Sequence, residues 1–331
     1  MSRVSSVLCV GAIWAFLFAS APLAESQILQ IGEMNTRQIE ALNKQKTVAL
    51  IPGGILEEHG PYLPSFTDGY MTQAFTDALA KAIVLQPGWT VVVFPQIPLG
   101  SDPANTLGEL AVFPGSYPVR TATVRQVFMD LGNALGAQGF RWVFLIHNHG
   151  APTNLKALDD ASDYFHDSYG GTMVNLFGLA PVADCCGVEA KFLSPAALNE
   201  EGLTIHSGAD ETSVLDFLKP NLLAPDYRRA VSWTSQSIPE LVKNARTKGW
   251  PGYFGAPRLA DASLGAQIFD KKSAKANETA LAILNGADPV KIPRYSDRML
   301  SVVQRFKPDM LAEDQKMAKR EEDWLKAHVR E

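Results

Sequence analysis

Short apolar runs alternate along the chain with longer segments in which apolar residues recur every three or four positions. Four of the runs have the length and composition of buried strands; they are Thr47–Ile51, Thr90–Pro95, Trp142–Ile146 and Met173–Phe177. Three intervening segments have the period of amphipathic helices; they are Asp68–Leu85, Val119–Gly136 and Leu155–Phe165. This alternation predicts an α/β fold, a single three-layer domain in which helices flank a largely parallel central sheet.

Three more helices are predicted outside this alternation. The first covers Thr36–Asn43, with Thr36 itself as the N-cap. The other two cover Thr212–Leu218 and Ser273–Leu284. The remaining segments carry no clear period, and they predict irregular chain over Ala180–Thr204 and a loop-rich region over Tyr227–Pro257.

The two ends of the chain differ in composition from the rest. At the N-terminus, Arg3 precedes an apolar stretch at Val7–Phe18, and small residues follow as far as Ala24. This order is typical of a secretory signal peptide. We therefore predict a signal peptide at residues 1–24, a domain at 25–300 and a charged helical tail at 301–331. Cleavage near Ala21 and an uncleaved anchor are the alternatives.

Such a leader predicts an exported protein, periplasmic or secreted, that has no stable membrane insertion once the leader is removed. Cys9 would leave with it, so that Cys185 and Cys186 remain in the mature chain. Two adjacent cysteines do not build a disulfide scaffold. In an exported protein they could be oxidised, free or part of a soft-metal site.

Overall composition is that of a folded enzyme-sized domain. The chain has 331 residues, of which 46% are hydrophobic, and a formal net charge of -5. This is enough apolar sequence for a large core. No basic patch stands out, so nucleic acid is not an expected partner.

The most informative stretch begins where the first predicted strand ends. Pro52, Gly53 and Gly54 terminate that strand, and a loop then carries three charged or imidazole side chains followed by an aspartate; these four are Glu57, Glu58, His59 and Asp68. Strand ends in α/β enzymes commonly carry the chemistry. Carboxylates with imidazole suit a divalent metal such as zinc or manganese. The alternative is an exposed acidic loop with a surface histidine.

Histidines recur in two later segments with a similar setting. His147 and His149 follow the strand Trp142–Ile146, and His206 precedes the helix that starts near Thr212. The chain holds two further histidines, His166 and His328. Histidines gathered at strand ends are better explained by a site than by chance.

Four motifs in order resemble the creatininase family of metal-dependent amidohydrolases, over roughly Thr47 to Leu284. The first is a Glu-x-His-Gly-Pro loop with an aspartate nine residues beyond the histidine. The others are Phe-Pro-Gly-Ser, a Gly-Phe-Arg turn into a strand that ends in a His-Gly pair, and His-x-Gly-x-x-Glu-Thr-Ser. In this sequence they are Glu57–Pro61 with Asp68, Phe113–Ser116, Gly139–Arg141 leading to His147–Gly150, and His206–Ser213.

The resemblance implies a set of site residues. Four fall on metal-ligand positions, and these are Glu57, His59, Asp68 and His149. Asp68 would bridge two divalent ions, for which zinc is expected and manganese or iron are alternatives. Glu211 falls on the acidic position of the last motif, as a further ligand or a general base. The resemblance places His206 next to the scissile bond, where it could donate a proton or stabilise an oxyanion. Glu58 is an alternative proton shuttle.

The sequence departs from the family in the second histidine segment. His147 and Asn148 stand where Asn and Gly are usual, and Ala151 stands where creatininase has a glutamate ligand. We therefore expect Glu211 to substitute for that ligand. His147 is either an extra ligand or a hydrogen-bonding neighbour of the ligands. The tryptophans of the creatinine pocket have no counterparts between Asn154 and His206, so creatinine is not the expected substrate.

These features predict a binuclear metal-dependent hydrolase that cleaves a cyclic amide or another non-peptide C–N bond of a small molecule. The resemblance also implies a homo-oligomer. One alternative is a non-catalytic exported protein that binds metal or ligand on a decayed hydrolase scaffold. Another is a thiol-redox protein that uses Cys185 and Cys186.

Overall fold

The computed structural model describes residues 27–329, so the predicted signal peptide and Cys9 lie outside the described residues. Its five β-strands are β1 Ile28–Gln30, β2 Thr47–Pro52, β3 Thr90–Val93, β4 Trp142–Ile146 and β5 Thr172–Asn175. The α-helices of the described chain are α1 Thr36–Glu40, α2 Thr67–Val84, α3 Thr121–Ala137, α4 Pro152–Tyr169, α5 Ala180–Ala183, α6 Glu189–Phe192, α7 Pro195–Glu201, α8 Ala209–Leu218, α9 Ile238–Ala245, α10 Ala262–Leu284, α11 Tyr295–Phe306 and α12 Ala312–His328. Across residues 27–329, no helix is both long enough and apolar enough to cross a membrane.

The strands form one parallel sheet in the order β1-β3-β2-β4-β5. From β2 the chain crosses to β3 on one side and then returns to β4 on the other side. The crevice between β2 and β4 is therefore the topological switch point, where open α/β sheets bind their ligands. The register sets Pro52 opposite Ile146, so both strands end side by side and release their loops at the same edge.

Both faces of the sheet are covered, which explains why its strands read as continuous apolar runs. Val48 and Leu50 of β2 point into a core that contains residues of α2 and α10. Ala49 and Ile51 point to the opposite face, into a core shared with α3 and α4. Successive side chains of a strand alternate between faces, so one strand serves two cores. The predicted three-layer α/β domain is confirmed.

The N-terminal elements differ from the sequence prediction. The three-residue strand β1, which was not predicted, pairs with β3 at the sheet edge. Helix α1 is shorter than predicted, and Asn35 rather than Thr36 is its N-cap. The Asn35 side chain accepts a hydrogen bond from Gln38 N at 3.2 Å, while Gln38 returns one to Asn35 N at 2.9 Å. This reciprocal pair is a capping box.

The second half of the chain holds more helix than its weak periodicity suggested. Short helices α5, α6 and α7 lie in the segment predicted to be irregular, and α9 lies in the predicted loop-rich region. Helix α11 was not predicted, and the boundary proposed between residues 300 and 301 falls inside it. It packs on α4, and Arg294 before it contacts Asp163 of α4 at 2.7 Å. The predicted charged tail forms α12, which has no buried residue within the described chain.

Candidate metal centre

The first ligand loop starts where β2 ends and is held against the neighbouring strand. Gly53 N donates to Ile146 O at 2.8 Å. A Cβ on Gly53 would lie 2.2 Å from the ring carbon Cδ2 of His147, so only glycine fits there. Gly54 has a φ of 144°, a conformation that L side chains rarely adopt. The two glycines thus turn the chain sharply over the end of β4.

This loop and the start of α2 direct the side chains of Glu57, His59 and Asp68 towards one point. Glu57 N donates to Ser65 O at 2.9 Å, which closes the loop. The ring of His59 is fixed by a hydrogen bond from Nδ1 to Glu57 O at 3.1 Å. Asp68 lies in the first turn of α2, where a carboxylate is favoured by the helix dipole. The carboxylates of Glu57 and Asp68 and the His59 ring are all buried.

Two other loops complete the cluster. His149 follows β4, and its Nε2 donates to Ser101 O at 2.8 Å. His206 precedes α8, and its Nε2 contacts the carbonyl oxygen of Glu58. Glu211 lies in the first turn of α8 and accepts the Ser207 N–H at 2.6 Å. Residues far apart in the chain therefore meet above the β2–β4 crevice.

The side chains form overlapping triads that could each hold a cation. In each triad the potential ligand atoms lie within 4.8 Å of one another. One triad is Glu57, Asp68 and His149, and a second is His59, Asp68 and Glu211. Asp68 belongs to both, as a carboxylate that bridges two ions would. A third group joins Glu57 and His59 to His206.

Backbone carbonyls fix which nitrogen of each histidine faces the centre. A carbonyl oxygen can only accept, so His59, His149 and His206 each direct an N–H outward to one. The opposite nitrogen then faces carboxylate oxygens. His149 Nδ1 lies 3.0 Å from Glu57 Oε2, and His59 Nε2 lies 3.8 Å from Glu211 Oε2. An imidazole anchored through its outer N–H is the usual arrangement of a metal ligand.

Two atoms at the centre of this cluster, His59 Nε2 and Asp68 Oδ2, have no hydrogen-bond partner among the described residues. Buried acceptors that face one another without a donor are costly, and a cation between them removes that cost. Oxygen and imidazole donors suit Zn²⁺ or Mn²⁺. The residues present therefore fit divalent metal ions.

The pKa shifts of the cluster in the absence of metal also support a metal site. Burial opposes the charge of Glu57, but the imidazoles of His149 and His206 outweigh it and lower the pKa of Glu57. Burial also opposes the charge of His149, yet the Glu57 carboxylate raises the His149 pKa to about 10. Burial and the nearby Asp68 raise the pKa of Glu211 to about 8. Protons thus occupy positions in the ion-free protein that a metal would take over.

Glu58, a predicted proton shuttle, has a different place. Its side chain turns away from the triads to contact Ser116 Oγ, and it is not among the residues that line the cavity. Burial and the Glu57 charge raise the pKa of Glu58 to about 9. Glu58 instead serves through its backbone, because its carbonyl oxygen holds the His206 ring. Ser116 of the Phe-Pro-Gly-Ser motif supports Glu58 from behind.

His147 is not part of any triad. Its Nε2 lies 3.2 Å from both Gly54 N and Leu99 O, and its ring packs against Gly53. A neutral ring makes one of these two hydrogen bonds, according to its tautomer. Burial lowers the His147 pKa to about 4. This histidine supports the turn between the two ligand loops through backbone groups of Gly54 and Leu99, and it contacts no predicted ligand in these hydrogen bonds.

Asn154 braces the other side of the same loop. Its Oδ1 accepts from Ser101 N at 3.1 Å, and Ser101 O in turn accepts from His149. Asn154 therefore acts on the ligand histidine through Ser101. Cys185 and Cys186 lie between α5 and α6 and do not line the cavity.

A cavity of about 280 Å³ opens beside the cluster. Glu57, Asp68, His149, His206 and Glu211 all reach it. Asp102, Asn148 and Lys272 also line it, and the rest of the lining is largely apolar and comes mainly from the segment Ala104–Gly108 and from α4, α9 and α11. The first five side chains form the reactive floor of the cavity, and a reactive floor with an apolar wall is typical of a small-molecule site.

Several polar residues at or near the site were not predicted from the sequence, Asp102 among them. Lys272 of α10 and Lys307 after α11 line the cavity. Glu201 accepts N–H groups from Ala209 at 2.7 Å and Ala256 at 2.6 Å, so it fixes the His206 loop. The sequence could have indicated that Lys272 faces the interior, because it continues the four-residue spacing of the apolar face of α10. That face includes Leu264, Ile268 and Ala276.

Comparison with known proteins identifies the family. The family model Creatininase, described as creatinine amidohydrolase, matches residues 32–279. Among curated proteins, the mycofactocin precursor peptide peptidase of Mycobacterium ulcerans (strain Agy99) is 26% identical over 249 residues, which are 72% of this chain and 86% of the relative. The protein of the same description from Mycolicibacterium smegmatis is 27% identical over 244 residues, 72% and 85% of the two chains.

Solved structures share the fold. A creatinine amidohydrolase (creatininase) superimposes with a TM-score of 0.57 at 20% identity, covering 78% of this chain and 99% of that chain. A manganese form of creatininase and a mutant creatininase of Zn-Zn type each give a TM-score of 0.55 at 20% identity, with 77% and 98% coverage.

Proposed function

The chain belongs to the creatininase family of metal-dependent amidohydrolases, as the match over residues 32–279 shows, and on that premise we propose that it uses two divalent ions to cleave an amide C–N bond. One observation carries the proposal. Two donor triads share Asp68, and their inward-facing atoms include buried acceptors without a hydrogen-bond donor. Zinc is the first candidate and manganese the second, since creatininases of both kinds share the fold.

Each ion has a defined set of residues to hold it. Glu57 and His149 would hold one, His59 and Glu211 would hold the other, and Asp68 would join them. Divalent ions at such a site polarise an amide carbonyl and activate water at neutral pH. In this proposal Glu211 substitutes for the glutamate ligand that Ala151 replaces, and its carboxylate, which lies 3.8 Å from His59 Nε2, supports that role.

The chain's own residues supply orientation and proton handling. His206 lines the cavity and its Nε2–H is held by Glu58 O, so Nδ1 is the nitrogen available on the inner side. Only its protonated form could donate from Nδ1 to a leaving nitrogen, and burial lowers the His206 pKa to about 4. We therefore propose that the neutral His206 ring accepts a proton from the attacking water at Nδ1 and, once protonated, donates it to the leaving nitrogen. Lys272 adds positive charge beside the carboxylates.

The cavity favours a small substrate. A volume of about 280 Å³ is near the lower end of small-molecule sites, and α11 walls off one side of it. We therefore propose a small amide, cyclic or otherwise non-peptide, as the preferred substrate. The relatives are named as peptidases of a precursor peptide, so a peptide amide is the competing substrate class. Export from the cytoplasm stays part of the proposal.

The test is metal analysis together with a substrate screen. Mature protein is reconstituted with Zn²⁺ or Mn²⁺, its metal content is measured, and lactams, cyclic ureas and short peptides are screened with and without a chelator. We expect two ions per chain and a chelator-sensitive cleavage of a lactam or cyclic urea. Two bound ions without turnover would favour the non-catalytic binding protein. Turnover that survives chelation would contradict the metal mechanism.

A further inference from the structure

One wall of the cavity comes from a segment beyond the family match, which ends at residue 279. The cavity-lining residues of this wall recur every four positions along α11 and continue past its end. They are Tyr295, Met299, Val303 and Lys307, followed by Met310. Four-residue spacing places side chains on one helix face. The face turned to the site is therefore apolar except for the tyrosine and one ammonium group.

That ammonium group is nearly buried. Lys307 is 7% exposed, and its Nζ donates to Thr106 O at 2.6 Å. An ammonium has three N–H donors. Within residues 27–329 this ammonium group makes no ion pair with a carboxylate. Lys307 is therefore a nearly buried cation that has one carbonyl partner and no direct ion pair, and the carboxylate of Asp102, which also lines the cavity, is engaged by Thr106 Oγ1 at 2.6 Å.

The contact with Thr106 locates this cation relative to the reactive floor. Thr106 lies in the 3-10 turn Ala104–Gly108. Ala104 of the same turn donates its N–H to Glu57 Oε1 at 2.6 Å. Two residues of one turn thus touch Lys307 and a predicted metal ligand. A small molecule that reaches the floor would lie beside the ammonium.

Lys272, the other lysine of the cavity, donates to Asn148 Oδ1 at 3.4 Å and, like Lys307, makes no ion pair within the described chain. Burial lowers its pKa, but Glu211, Asp210 and Asp68 act in the opposite direction. For Lys307, burying a charge without an ion pair is costly. The missing partner is best supplied by a ligand.

We propose that Lys307 binds a carboxylate of the substrate and so makes this enzyme selective for amides that carry an acid group. This rests on the proposed function, and it names the substrate class. The floor would cleave the amide while Lys307 holds the carboxylate at the α11 wall. The acid could belong to a small lactam or to the C-terminus of a short peptide.

Matched pairs of probes test the proposal. Pyroglutamate is compared with pyrrolidinone, which has the same lactam ring without the acid, and trialanine is compared with its C-terminal amide. Binding is measured by calorimetry on metal-loaded protein and on metal-free protein. We expect at least one acid to bind at least about tenfold more tightly than its neutral counterpart, as a charged hydrogen bond in a buried site allows. The pair that responds identifies the source of the carboxylate.

Variants then assign the preference to Lys307. Lys307→Met should abolish the preference for the acid and leave the neutral probe unchanged, and Lys307→Arg should retain it. Lys316→Met, on the exposed face of α12 where Lys316 contacts Glu313, is the matched control and should behave as wild type. A thermal melt reports whether the α11 wall stays in place.

The outcomes separate this inference from the proposed function. Equal binding of acid and neutral probes by the wild type, or equal loss of both in Lys307→Met, overturns the inference. If amides are hydrolysed without preference for an acid, the proposed function stands alone. If acid binding depends on Lys307 but no amide is cleaved, the proposed function fails and the anion site remains.

Discussion

The floor and the α11 wall of the cavity are built on opposite principles. The floor gathers carboxylates and imidazoles whose inward-facing atoms include acceptors with no donor. The wall offers Met299 and Val303 with a single cation, Lys307. The floor lies within the family match, and the wall lies beyond residue 279. The difference suggests that chemistry and substrate choice reside in separate parts of the chain.

The two regions are also held in place differently. Short backbone hydrogen bonds and glycines without room for a Cβ fix the floor, as at Gly53. The wall is held by α11 against α4, through the Arg294–Asp163 ion pair and a 2.6 Å hydrogen bond from Ser296 Oγ to Asp159 Oδ2. Substitutions in the floor should therefore abolish function, whereas substitutions in the wall should retune it.

The largest effect is expected from Asp68→Asn. It removes the carboxylate shared by both triads, and even partners that only orient a ligand typically matter by about 10–100-fold. We expect metal content to fall below two ions per chain and kcat/KM to fall by more than about 100-fold. Elemental analysis and kinetics measure both. Asp77→Asn, on the exposed side of α2, is the control. Full metal content in Asp68→Asn would refute the bridging role.

A second large effect concerns pH. In the ion-free protein the His149 pKa is about 10, so at neutral pH this ring carries a proton that a metal must displace. Glu211, with a pKa of about 8, is protonated below that pH in the ion-free protein, so metal binding there displaces a second proton. The metal association constant should therefore rise with pH, by about tenfold per pH unit for each proton displaced.

Calorimetry in buffers of different ionisation enthalpy measures this proton release directly. The logarithm of the metal association constant should rise more steeply with pH below pH 8, where metal binding displaces protons from both His149 and Glu211, than between pH 8 and 10. A metal affinity that is independent of pH from 6 to 8 would contradict the prediction that His149 and Glu211 bind the metal. The wall carries no residue of the triads, so Lys307→Met should leave the slope unchanged.

A smaller effect is expected from His147→Asn, which restores the residue usual in the family. The ring lies against Gly53 outside the triads, so two ions should still bind. The free energy of unfolding should fall by about 1–3 kcal/mol, since a buried hydrogen-bonding group loses its partner. Denaturant titration and elemental analysis measure the two. His149→Asn is the contrasting variant and should lose metal. Loss of an ion from His147→Asn would make His147 a ligand.

The sequence was informative about the floor because its signals are local. The apolar run Thr47–Ile51 predicts a strand, and the glycines after it predict a turn. Glu57 and Glu58 are adjacent carboxylates, however, and only the path of the loop decides that the first faces the centre. That path depends on the Glu57 N to Ser65 O hydrogen bond, which no pattern of residue types reveals.

The wall could not be predicted for a different physical reason. Helix α11 is amphipathic, but its period does not say which neighbour covers its apolar face. Lys307 looks like a residue of a charged tail in the sequence, and its burial results from tertiary packing against Thr106. Strand β1 was missed because three residues are too few for a period to be recognised, and its pairing with β3 alone makes it a strand.

The smallest effect, and the sharpest test of the comparison, is Met299→Ala in the wall. The substitution removes apolar surface from the cavity without touching a triad. We expect unchanged metal content and kcat, and a KM raised by about three- to tenfold, as the loss of one or two buried methylene contacts predicts. Steady-state kinetics on the amide found in the screen measures kcat and KM separately. Met317→Ala, on exposed α12, is the control. A fall in kcat as large as that of Asp68→Asn would mean that floor and wall do not act separately, because the wall would then position the reacting bond itself.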